Sequence, residues 1–179
     1  MKNNIEVEIC TFSLESCLNA QLAGASRVEL CSGMYDGGTT PSAAMIRMAR
    51  EKLSIQLYVM IRPRGGDFLY SDLEFEMMKE DIRFAKACRA DGVVLGILNA
   101  DGSVDVRRTR ELVELAAPLK VTFHRAIDMT RDMEEALEGI IEAGCYRILT
   151  SGGRNTVNEG MERIKALVKQ AGGRVQIMA

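Results

Sequence analysis

Two arginines separated by one proline, Arg62-Pro63-Arg64, stand between an apolar run and a Gly-Gly pair, with Asp67 and two aromatics following. Guanidinium groups placed where a strand hands over to a loop form a natural clamp for a carboxylate or phosphate. Asp67 in that loop and Arg125 further along complete the candidate anion-binding set. A second chemistry is carried by thiols. Cys10 and Cys31 end two successive short apolar runs at matching parity, so their sulfurs can approach each other. Two thiolates, with Met60 nearby, are soft ligands suited to a monovalent copper ion. The third chemistry is proton transfer. Glu8 and Glu29 alternate with apolar residues in the same two runs, and His124, the only histidine, ends a later one. These three are the candidate acids and bases. Thr150-Ser151-Gly152-Gly153 adds hydroxyls and backbone N–H groups able to hold a phosphate or carboxylate. Each feature also has a plain structural reading: buried cysteine is a small hydrophobe, and Glu8, Glu29 and Arg62 can form an internal ion network.

The elements that must position these residues alternate from end to end. Strands are predicted at residues 5–10, 27–31, 55–61, 92–98, 120–124, 147–150 and 175–178. Helices are predicted at residues 13–23, 71–89, 105–117, 132–143 and 156–171, with a further one opened by Thr40 as N-cap and Pro41 at its first position. Ser71 and Glu74 have capping-box spacing, repeated at Asp132/Glu135 and Thr156/Glu159. Ala23-Gly24-Ala25-Ser26-Arg27-Val28 and Ala143-Gly144-Cys145-Tyr146-Arg147-Ile148 are weak internal copies of one helix-end, loop and strand unit. Strict alternation of this kind means parallel strands, in a doubly wound sheet or a barrel. The turn after the first strand, Cys10-Thr11-Phe12-Ser13, lacks the glycines of a dinucleotide fold. The series therefore reads as a TIM (β/α)8-type barrel forming a single domain over residues 1–179. It is C-terminally incomplete: about seven strands are present and the last unit is missing, so a truncated chain is expected.

Composition narrows the function class. The formal charge of -2 with mixed signs offers no electrostatic case for nucleic acid or an anionic membrane. No apolar run spans a bilayer, and Met-Lys-Asn-Asn is not the start of a signal peptide. Five cysteines without a regular framework fit a reducing cytoplasm.

Parity along the strands sorts interior from helix-facing positions. Glu6, Glu8 and Cys10 are assigned inward, as are Glu29, Cys31, Tyr58, Met60, Arg62, Thr122, His124, Ile148, Thr150, Gln176 and Met178. Ionisable groups inside a barrel are costly unless paired, and they gather near the face where barrel enzymes place their sites.

The motifs at residues 28–33, 37–42, 60–72, 121–126 and 147–153 resemble the CutC copper-homeostasis family over the whole chain. The longest of them is Met-Ile-Arg-Pro-Arg-Gly-Gly-Asp-Phe-Leu-Tyr-Ser-Asp at 60–72. The resemblance implies a cytoplasmic TIM barrel, a homodimer, that binds copper(I) through Cys10 and Cys31. The residues also support a second expectation, an enzyme of unknown reaction acting on a small anionic substrate. In it Arg62, Arg64, Asp67, Arg125, Thr150 and Ser151 hold the anion while Glu8, Glu29 and His124 move protons.

Overall fold

The computed structural model describes residues 5–179. Residues 1–4 of the predicted domain, including the Met-Lys-Asn-Asn start, lie outside the described residues. Seven strands alternate with six α-helices: β1 (Glu8–Thr11), α1 (Leu14–Leu22), β2 (Arg27–Leu30), α2 (Ala43–Lys52), β3 (Gln56–Met60), α3 (Asp72–Ala87), β4 (Gly92–Leu95), α4 (Val106–Ala116), β5 (Lys120–Phe123), α5 (Met133–Glu142), β6 (Arg147–Leu149), α6 (Val157–Ala171) and β7 (Gln176–Met178). The strands are all parallel and lie in chain order from β1 to β7. The sheet curls, so that the Arg27 guanidinium on β2 lies 3.7 Å from the Met178 thioether on β7. This is the TIM-barrel type of architecture expected from the alternation.

The outer face of the sheet is apolar because helices cover it. Val28, Leu30, Leu57, Val59, Val93, Leu95, Val121, Phe123 and Ile148 pack there against Ile46, Phe75, Ile82, Leu112 and Ile140 of the helices. Each such side chain contributes about 1.5–3 kcal/mol when fully buried, so this shell fixes which strand residues are left to face inward.

Helix starts depart from the sequence reading three times, one of them at α6, where Thr156 accepts the Glu159 N–H without the return bond of the predicted box. Ser42, not Thr40, caps α2 by accepting the N–H of Met45. Thr40 accepts the backbone N–H of Arg62 at 2.9 Å and so ties its loop to the end of β3. Asp132 caps α5 alone, because the Glu135 carboxylate pairs with Arg131 instead of closing a box. The Ser71/Glu74 box forms as predicted.

Strand β6 corrects the parity assignment. Ile148 joins the helix-facing core, while Arg147 points inward to Tyr58 and Gln176, and Leu149 lines the interior cavity. Thr150 therefore does not face the interior; its hydroxyl donates to Asp128. Ile148 and Leu149 are adjacent and both apolar, so a three-residue strand carries no alternation from which to read its direction.

Candidate functional site

The inner layer nearest the strand starts holds two arginines and two acids. Arg27 and Arg147 lie on Tyr58, with guanidinium carbons 4.9 and 5.6 Å from the ring centroid. Gly92 makes room for that ring, since a Cβ there would meet Tyr58 at 2.6 Å. Glu8 is ion-paired with Arg27, as is Glu6. Glu8, an expected acid or base, thus serves as the counter-ion of a buried arginine.

Above this layer lies a cavity of about 550 Å³, whose lining includes Cys10, Glu29, Met60, Arg62, Phe68 and His124. One wall comes from β1 and the end of β2. The Cys10 and Cys31 sulfurs are 3.8 Å apart, and Glu29 Oε1 lies 3.7 Å from the first and 3.4 Å from the second. Register explains the grouping. Cys10 pairs with Glu29 across the strands, and Cys31 follows two residues later on the same face. Burial, with the Glu8 carboxylate next in weight, pushes the Glu29 carboxyl up to about 7. The hydrogen bond with Cys10 and burial push the Cys31 thiol well above the ordinary range. This wall carries protons at neutral pH.

A neighbouring wall is built by the ends of β3 and β5 and the loop after β3. Arg62 leaves the end of β3 and donates from Nη1 to the carbonyls of Asp36 (2.6 Å) and Gly38 (2.9 Å), and from Nη2 to that of Gly66 (2.8 Å). Phe68 lies under its guanidinium at 4.8 Å. His124 lies against the same ring, tilted 52° to it, with centroids 4.9 Å apart. His124 Nδ1 accepts the Ala126 N–H at 3.2 Å, which assigns the proton of the neutral ring to Nε2. Burial and the Arg62 charge lower the imidazole pKa to about 3. The buried Nε2–H has no partner among the described residues. His124 is therefore a neutral donor near pH 7 and not a proton shuttle poised for exchange.

The other expected anion-binding residues are engaged elsewhere. Arg64, two residues after Arg62, pairs with Glu74 (2.6 Å) and Asp67 (3.0 Å) and also donates to the Leu69 carbonyl (2.8 Å). It fastens the loop to the start of α3. Arg125 donates to Asp128 (2.8 Å) and to the Ser151 hydroxyl (2.7 Å). The Thr150–Gly153 turn does cradle a carboxylate, and that carboxylate is Asp128. It accepts from Thr150 Oγ1 (2.5 Å), Ser151 N (3.1 Å), Ser151 Oγ (3.0 Å) and Gly153 N (3.0 Å). Despite burial, these bonds and Arg125 hold the Asp128 carboxyl below its ordinary range. Asp128 was not legible as a site residue, because its partners in the Thr150–Gly153 turn are 22 to 25 residues away.

No helix among the described residues is long and apolar enough to cross a membrane. The family model described as the CutC family matches residues 5–179. A CutC protein of Chromobacterium violaceum is 54% identical over 96% of this chain and 70% of its own length. The mouse copper homeostasis protein cutC homolog is 50% identical over 98% of this chain and 65% of its own length. The crystal structure of CutC from Streptococcus agalactiae superposes with a TM-score of 0.92 at 38% identity, covering 97% of this chain and 86% of that one. An aldolase, QR15, shares the fold alone, with a TM-score of 0.73 at 17% identity over 99% of this chain and 80% of that one. Matched along its described length and about half identical to curated relatives, the chain belongs to the CutC family.

Proposed function

We propose that this protein binds copper(I) in copper homeostasis, through the thiolates of Cys10 and Cys31, with Glu29 beside them. The observation that carries the reading is the 3.8 Å separation of the two sulfurs, with a carboxylate oxygen within 3.7 Å of both. Metal–thiolate bonds are about 2.3 Å long for zinc, so sulfurs this close can share one ion. Soft sulfur donors select monovalent copper over harder ions, and the Met60 thioether lies in the same buried cluster as Cys31. The copper homeostasis names of the mouse and human relatives agree with this chemistry. The reading includes a reducing cytoplasmic compartment, which keeps the thiols free, and a homodimer, whose mass sedimentation equilibrium measures.

Because both thiols must lose protons to bind a metal, and the Cys31 thiol is held protonated, copper(I) affinity rises with pH. The test is anaerobic copper(I) titration against a strong competing chelator at pH 6.5 and 8. Wild type binds stoichiometrically and more tightly at the higher pH, and the Cys10→Ser/Cys31→Ser variant loses that binding. Equal, weak binding by both proteins overturns the reading.

A further inference from the structure

The cavity holds a cation that no carboxylate among the described residues neutralises. Arg62 is 5% exposed and His124 4%. A guanidinium has five N–H donors, and the three bonds Arg62 makes all go to backbone carbonyls. Among the described residues its buried Nε–H meets no acceptor, and neither does the buried His124 Nε2–H. The nearby acid, Asp67, is committed to Arg64 and to the Leu69 N–H. Asp128 is held by the Thr150–Gly153 turn and Arg125. The orientation of the histidine is fixed by Gly96, where a Cβ would stand 2.6 Å from both Nδ1 and Cε1. That edge lies against the sheet, and His124 is among the residues that line the cavity. Buried donors and charges are retained where a partner completes them.

The geometry points to a binding site for a small monocarboxylate, its oxygens taking the free N–H groups of Arg62 and His124 and its apolar body lying on Phe68 and Met60. A single uncompensated positive charge matches a monoanion; a phosphate dianion leaves one negative charge in excess. Leu149 and Met178 complete an apolar lining suited to a short hydrocarbon chain. The site shares the cavity and the Met60 side chain with the thiol pair but not Cys10, Cys31 or Glu29, so it goes beyond the copper reading and does not depend on it.

The only histidine of the chain supplies the readout. Imidazole ¹⁵N–¹H spectra of the reduced, metal-free protein are followed during titration with sodium butyrate. Sodium chloride at equal ionic strength sets the baseline, and sodium phosphate is a parallel titrant. Butyrate shifts the Nε2–H resonance saturably, and does so equally in the Cys10→Ser/Cys31→Ser variant. Arg62→Lys keeps the charge but loses the planar fork, and weakens butyrate about tenfold or more. A response to butyrate no larger than to chloride overturns the proposal, as does saturation by phosphate in its place. Undiminished butyrate binding by Arg62→Lys overturns it too. If that variant disturbs the loops Arg62 holds, the wild-type titration decides. Failure here leaves cysteine-dependent copper binding intact, and loss of copper binding leaves this titration intact, so the two readings fail separately.

Discussion

The two walls of the cavity each shift an ionisable group toward its neutral form, and they do so in opposite directions. On the β1–β2 wall, burial lifts the Glu29 carboxyl to about 7, so beside Cys10 and Cys31 it is only partly ionised near neutral pH. On the β3–β5 wall, burial and the Arg62 charge lower the His124 imidazole to about 3, so it never gains its second proton near neutrality. The first wall is rich in protons that a metal can displace. The second is rich in N–H donors whose acceptors are missing. Residue type alone suggests acid–base partners in Glu29 and His124; their surroundings make one a partly protonated neighbour of soft ligands and the other a fixed donor.

This contrast predicts pH effects of opposite sign, the larger on the histidine side. A base whose folded pKa lies below its unfolded value of about 6.5 is neutral in both states above that pH. Below it, the unfolded chain takes up a proton that the fold refuses, so stability falls on acidification. For His124 the loss runs from about pH 6.5 toward 3 and totals about 5 kcal/mol at about 1.4 kcal/mol per pH unit. Denaturant melts at pH 7 and pH 4.5 therefore show wild type losing about 3 kcal/mol more than His124→Phe. The imidazole resonances show no titration between about pH 5 and 8; an inflection near 6.5 breaks the comparison.

Glu29 acts the other way. Its folded pKa is raised, so the fold binds the proton more tightly, and stability is lost as pH rises from about 4.5 through 7. The loss reaches about 3 kcal/mol by pH 8. Glu29→Gln keeps a neutral side chain of the same shape and removes this slope, so the variant gains on wild type between pH 5 and 8 in the same melts. A constant difference across that range places the Glu29 carboxyl in its ordinary range and removes the distinction between the walls.

A smaller and more local effect comes from Gly96. Its added Cβ would press on the His124 ring at 2.6 Å, and packing changes of this kind cost about 1–3 kcal/mol. Gly96→Ala is expected to shift the His124 resonances and weaken butyrate while leaving copper(I) affinity unchanged. Equal damage to both functions shows that the walls are mechanically one unit.

What the sequence revealed and what it hid divide along a physical line. Alternation in β1, β2, β3 and β5 is clear because each has a charged or polar residue between apolar ones, and it places Cys10, Glu29, Cys31, Arg62 and His124 around one cavity. It fails in β6, where Ile148 and Leu149 are both apolar and the strand is three residues long. The Thr150–Gly153 turn was legible as a carboxylate cradle, but that its occupant is Asp128 depends on long-range contacts. The Arg27–Tyr58–Arg147 stack was likewise hidden, because arginines at strand starts look outward by composition and turn inward only when an aromatic ring and paired acids receive them. Arg62 and Arg64 differ for a similar reason. Their spacing is the same as seen from either side of Pro63, yet one meets carbonyls and the other meets Glu74 and Asp67.

That last pair sets the smallest expected effect. Arg64 is about two-fifths exposed, and Asp67 is more open still. Ion pairs this accessible are screened by solvent and salt and hold little stability. Arg64→Ala therefore lowers the melting temperature only slightly, and the difference shrinks further in high salt. Butyrate affinity and the His124 Nε2–H resonance stay at wild-type values, because Arg64 is not among the residues lining the cavity. The same measurements on Arg62→Lys move both. If Arg64→Ala weakens butyrate as much as Arg62→Lys does, the anion is bound by the paired clamp that the Arg-Pro-Arg spacing suggests, and the division into an inner arginine that recognises and an outer one that fastens the loop is wrong.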